Sequence, residues 1–218
     1  MERMEESLKF NEWKKSLLEN GIQINSIEEQ YSVHKKSGEI LFSFIKINAI
    51  DPEGVPLLPF ALIRGHFVSV VTVLIDKDSG KKFFLLVKQR RVANGKIFFE
   101  HPAGMTDSER DPYKVAIKEV QEETGLVIQR SDLKLLYERP LYSSPGLLDE
   151  AGYFFYCEIN MDSNELEKYK NKLAGAKDES EHIETFICPI DEVYNYIDNS
   201  NGILASMLYI SKNSGKGN

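Results

Sequence analysis

Apolar residues recur along the chain at two different periods, and the places where the period changes mark the elements. Phe10, Trp13, Leu17 and Leu18 stand at helical spacing and Asn20-Gly21 offers a left-handed stop, which predicts an amphipathic helix over residues 7–19. Strand-like stretches follow at 26–34 and 40–48, separated by Lys35-Lys36-Ser37-Gly38, so a hairpin is expected. Asp51-Pro52-Glu53-Gly54 breaks that pattern, and the proline-bearing stretch up to Arg64 reads as a linker.

Beyond it the apolar runs lengthen. Residues 66–75 and 82–89 predict core strands of a mixed sheet, joined by a turn at 76–80. From Pro112 the period changes to that of a helix ending at Thr124, and strands are expected again at 133–138 and 153–159. A polar segment, 163–184, holds a helix and then a loop. A last strand at 183–189 precedes helices at 190–197 and 202–211, and the tail 212–218 is expected to fray. Helices set among strands make this an α/β layered fold.

A length of 218 residues suits one main domain with an N-terminal extension. The expected organisation is 1–63 as a helix and β extension, 64–211 as the main domain and 212–218 as the tail. The net charge of −7 argues against wholesale binding of nucleic acid. Residues 1–20 are too charged for a secretory signal or a membrane span, so a cytoplasmic protein is expected. Cys157 and Cys188 fit neither a zinc knuckle nor a disulfide framework and read as buried thiols.

The chemistry concentrates in one stretch. Asp111 is a natural N-cap, Pro112 fits the first helical position and Gly125 the left-handed C-cap, which puts Glu119, Glu122 and Glu123 along one face of a short helix. Most acidic helix faces are simply solvated. Here the carboxylates crowd the C-terminal end, where they oppose the helix dipole, so a cation is needed to offset them. Mg²⁺, which prefers carboxylate and phosphate oxygens, would serve, with Mn²⁺ as an alternative. His101 and His182 read as structural, and Ser143 and Ser144 have no triad partner.

Gly104, Glu119, Val120, Glu122, Glu123, Gly125 and Leu126 match in spacing the signature of the Nudix hydrolases, which the chain therefore resembles. It departs at Arg110, which stands where the signature has its first Glu, and at Lys118, which replaces an Arg whose fork orients the glutamates. Gln89-Arg90-Arg91, the run from Phe99 to Met105, and Ser144-Pro145-Gly146 with Glu150 resemble the branch that cleaves ADP-ribose and ADP-sugars. The resemblance implies an α/β/α sandwich with a mixed sheet, carrying the N-terminal helix and hairpin at a homodimer interface.

It also implies hydrolysis of a nucleoside diphosphate sugar to AMP and a sugar phosphate. Metal would be held by the Ala103 carbonyl, Glu119, Glu122 and Glu123, with Glu100 supporting its waters. Substrate would meet Arg91, Arg90, Gln89, Gly104 and Glu150. Catalysis would fall to Glu122 and to a general base in the loop 178–184, with Glu181 favoured. Two alternatives stay open: a non-catalytic nucleotide-binding sensor module, and a hydrolase of another nucleoside diphosphate conjugate.

Overall fold

The computed structural model describes residues 1–175 and 182–214. Helix α1 (Leu8–Glu19) is followed by strands β1 (Gln23–His34), β2 (Ile40–Ile50), β3 (Phe60–Ile63), β4 (Phe67–Asp76) and β5 (Lys82–Arg90). Next come β6 (Ile97–Glu100), β7 (Ala103–Met105), α2 (Pro112–Thr124), β8 (Lys134–Leu135) and β9 (Leu141–Tyr142). The chain continues through β10 (Ala151–Met161), α3 (Ser163–Glu167), β11 (Leu173–Ala174), β12 (Ile183–Pro189) and α4 (Ser200–Ser214). It divides into two compact units: Met1–Phe67 with Met105–Arg110 and Leu141–Gly152, and the remainder.

In the first unit β1, β2 and β3 form an antiparallel sheet in that order. The alternation of Ile45, Ile47 and Ala49 buries one face of β2, and Ile40, Ile45 and Ile63 pack with Met4 and Phe10 into a small core that Trp13 flanks. Phe10 and Trp13 of the α1 stripe thus find their partners within this unit, whereas Leu18 stays exposed. The expected hairpin gains a third strand: β3 lies inside the stretch read as a linker and pairs Phe44 with Leu62. Four residues next to Pro59 are too few to display a period, which is why the pattern hid it.

The larger sheet runs β11-β12-β5-β4-β10-β8, with β6 beside β5, β7 beside β4 and β9 beside β10. In the second unit its central strands are buried on both faces, which explains their continuous apolar runs. Val68, Val70, Leu74, Leu85, Phe155 and Cys157 face Val115, Ala116 and Val120 of α2. Their neighbours in the pleat point the other way, where Phe84 and Tyr156 meet the Tyr209 ring of α4 at 5.6 and 5.5 Å. Helix, mixed sheet and helix make the α/β/α sandwich that the sequence led us to expect.

Several other stretches differ from expectation, among them the two- and three-residue strands β7, β9 and β11. β6 was not visible as a strand, the strand at 133–138 shrinks to β8, and 190–197 becomes a 3-10 turn at Ile190–Asn195. Cys157 and Cys188 are free and buried, and burial pushes both thiols up to about 12, which leaves them unreactive.

Candidate active site

Helix α2 begins and ends where its punctuation dictates. The Asp111 side chain accepts from the Tyr113 N–H at 3.1 Å, Pro112 opens the first turn, and Gly125, at φ 72°, donates its N–H to the Gln121 carbonyl at 2.8 Å. The cation that offsets the acidic last turn is partly in the chain itself. Lys172 donates from Nζ to the Thr124 carbonyl at 3.1 Å, at the negative end of the helix dipole. Nothing local in the sequence pointed to Lys172.

The side chains of Glu119 and Glu123 both reach the strand that carries Ala103 and Gly104. Glu123, 5% exposed, accepts from the Ala103 N–H at 3.0 Å. Glu119 lies so close to Gly104 that a Cβ there would sit 2.1 Å from its carboxyl carbon, so the glycine makes room for a carboxylate rather than for an unusual backbone. Glu122 turns to Lys118, whose Nζ stands 3.1 Å from Glu122 Oε2 and 3.8 Å from Glu119 Oε1. A single ammonium thereby links two of the glutamates. Lys118 is 60% exposed, so the link adds orientation more than stability.

A second group gathers on Glu100. Its carboxylate accepts from Gln89 Nε2 at 3.1 Å and from Arg91 through Nε at 3.1 Å and Nη2 at 2.6 Å. Arg91 keeps 43% of its side chain exposed. Arg90 instead donates to the Gly95 carbonyl of the adjoining turn. Glu150 belongs to the first unit, buried against Arg64 with Nη1 to Oε2 at 2.5 Å, and its neighbour Asp149 accepts from the Arg64 and Gly65 N–H groups. Glu181 lies outside the described residues.

Among the described residues no three His, Cys, Asp or Glu side chains converge on one point as a preformed cage for a metal. The oxygen donors at Ala103–Gly104 nevertheless suit Mg²⁺, which binds through one or two carboxylates and keeps waters for a phosphate ligand to replace.

His101 links the Glu100 group to Ala103 along the chain. It is buried, sharing a hydrogen bond of 2.9 Å between Nε2 and Ser206 Oγ and meeting the Phe84 ring edge-on at 5.2 Å. Burial pushes its imidazole down to about 3, so it is neutral in the folded protein. Unfolded, it titrates near ~6.5, so the unfolded chain binds the extra proton first as pH falls. Its contribution to stability is whole above about 6.5 and is lost toward 3, about 2 kcal/mol of it between pH 7 and 5. In urea titrations at those two pH values the His101→Gln variant is expected to lose correspondingly less stability than the wild type. Equal losses in both proteins would show that His101 is not the source.

Comparison with known proteins bears on the family and the fold. The profile of the NUDIX domain matches residues 65–206, well over half of the chain. The chain is 29% identical to Nudix hydrolase 14, chloroplastic, of Arabidopsis thaliana over 80% of this chain and 58% of that protein. It is 35% identical to the ADP-ribose pyrophosphatase of Bacillus subtilis (strain 168) over 40% of this chain and 44% of that one. The chain therefore spans about half the length of these relatives. A solved ADP compounds hydrolase shares the fold, with a TM-score of 0.61 at 16% identity, covering 90% of this chain and 96% of that one. Among the described residues no helix is long and apolar enough to cross a membrane. The matched signature, the sandwich and the glutamates brought to Ala103–Gly104 agree, and the chain belongs to the Nudix family, whose members generally use divalent metal ions.

Proposed function

We propose that the protein hydrolyses the diphosphate of ADP-ribose or an ADP-sugar to AMP and a sugar phosphate, using Mg²⁺ or Mn²⁺. The observation that carries the reading is the approach of Glu119 and Glu123 to Ala103–Gly104 within a Nudix signature. The adenine and sugar parts rest on the named relatives and on the resemblance of residues 89–91 and 144–150. The partner is a small molecule rather than nucleic acid, and the setting cytoplasmic.

In this reading Ala103 with its carbonyl, Glu119, Glu122 and Glu123 hold the metal. A divalent ion there draws charge from the diphosphate oxygens and lowers the pKa of water. The Ala103 N–H fixes Glu123 and Lys118 steadies Glu119 and Glu122. Glu100 takes Nε and Nη2 of Arg91, which leaves Nη1 to donate to a phosphate oxygen. Water attacks one phosphorus, the bridging P–O bond breaks, and the water's proton passes to a carboxylate, for which Glu181 is the candidate. Arg110 and Lys118 are the departures that favour a binding-only module, and the contacts of Lys118 with both glutamates support catalysis instead.

The test is AMP release from ADP-ribose and from ADP-glucose, with Mg²⁺ and with EDTA. Metal-dependent AMP is expected, and binding of either compound without turnover would return the protein to the sensor reading. We also propose that residues 1–63 form a homodimer interface. Tyr31, Phe44 and Phe60 of the first unit's sheet are exposed, with the two phenylalanine rings 6.2 Å apart. Sedimentation is expected to give twice the chain mass, and a monomer at micromolar concentration excludes the interface.

A further inference from the structure

Residues 100–103 serve both parts of the candidate site, since Glu100 accepts from Gln89 and Arg91 and the Ala103 N–H donates to Glu123. β6 ends at Glu100 and β7 starts at Ala103, so His101 and Pro102 lie outside both strands. The Pro102 carbonyl accepts from the Val70 N–H at 2.8 Å, which ties the segment to β4. The other hold comes from α4. Ser206 Oγ and His101 Nε2 share a hydrogen bond of 2.9 Å, and Asn199, just ahead of α4, donates from Nδ2 to the Phe99 carbonyl at 3.4 Å. Asn199 Oδ1 also accepts from the Gly202 N–H at 2.7 Å, so one amide side chain both caps the helix and reaches β6.

A polar pair is an unusual choice for this place. His101 is 2% exposed and Ser206 fully buried. His101 Nδ1 is buried as well and meets no hydrogen-bond partner among the described residues. An atom left in that state lowers stability, whereas an apolar pair of similar size would leave nothing unsatisfied. What the polar pair adds is direction. A hydrogen bond fixes a distance and an angle, and apolar burial by itself fixes neither. The imidazole is further held edge-on against Phe84 at 5.2 Å, and Phe84 against Tyr209 of α4 at 5.6 Å. Residue 101 is thus tied to α4 twice, once by the hydrogen bond and once through a ring.

We infer that His101 and Ser206 are positioning residues for the proposed metal site: through this pair α4 fixes the backbone of residues 100–103, and with it the Ala103 carbonyl and the Ala103 N–H that aims Glu123. The inference rests on the proposed function. A purely structural pair would shift thermal stability alone, whereas a positioning pair also shifts metal affinity.

The test uses the full chain and Mn²⁺ as probe, its binding read by electron paramagnetic resonance, beside thermal melts. The first variant joins His101→Leu with Ser206→Ala, which removes both polar partners together and leaves no orphaned atom, so its melting temperature is expected to hold. Its Mn²⁺ binding is expected to weaken about 10-fold. Ser206→Ala alone strands the imidazole, and is expected to weaken Mn²⁺ binding and to lower the melting temperature as well. His101→Gln keeps a polar group within reach of Ser206 and is expected to bind Mn²⁺ within about threefold of the wild type. Wild-type Mn²⁺ affinity in the folded double variant overturns the positioning role, and should that variant fail to fold, wild-type affinity in Ser206→Ala does the same. A wild-type protein that binds no Mn²⁺ overturns the functional reading instead, so the two failures are told apart.

Discussion

Glu123→Gln is expected to lower the rate of AMP release from ADP-ribose at saturating Mg²⁺ by on the order of 10³-fold, more than the 10- to 100-fold typical of removing a group one layer behind a metal. The replacement keeps an amide oxygen that can still accept from the Ala103 N–H, and the site is buried, so shape and hydrogen bond survive while the negative charge goes. Turnover within about threefold of the wild type would remove Glu123 from the proposed metal site.

The second large effect is expected from Gly104→Ala, through the opposite kind of change. A new Cβ would stand 2.1 Å from the Glu119 carboxyl carbon and 2.3 Å from Oε1, so one of the two must move. What it meets is the end of a flexible side chain, and Gly104 is not a position of positive φ, so the backbone accepts alanine and the carboxylate gives way. The expected cost in stability is small, about 1 kcal/mol. The expected loss in turnover is about 10²-fold, because a reacting group displaced by roughly an ångström forfeits that much. Thermal melts and kcat measured on the same preparation check both halves. An alanine variant with full activity and unchanged Mg²⁺ dependence would show that the close approach of Glu119 to Gly104 is not needed.

These two residues also mark how far the sequence could be read. Helix α2 was visible from end to end because Asp111-Pro112 and Gly125 act within one turn of themselves, and β4 and the middle of β5 declare their burial in nearly unbroken apolar runs. β3 and β6, four residues each, hold too few repeats for the alternation of a strand to stand out. The glutamates were legible because one helix carries them all. Their supporting contacts were not, because folding brings those together from far apart: Lys172 and Thr124 are separated by 48 positions, and His101 and Ser206 by 105. Lys118 was read as a weakened arginine, since a residue type conveys its donors and not where they land. Glu150 falls in the first unit against Arg64, a pairing that no motif announced.

The hold of Lys172 on the end of α2 is reinforced by the Gly175 N–H, which donates to the Glu122 carbonyl at 3.0 Å. The chain is thus moored to the backbone of the acidic helix just before residues 176–181 begin. A change of length after that mooring is expected to spare the two hydrogen bonds that tie Lys172 and Gly175 to α2. The base role proposed for Glu181 and the metal-binding role proposed for the glutamates therefore fall on stretches of chain to either side of that mooring.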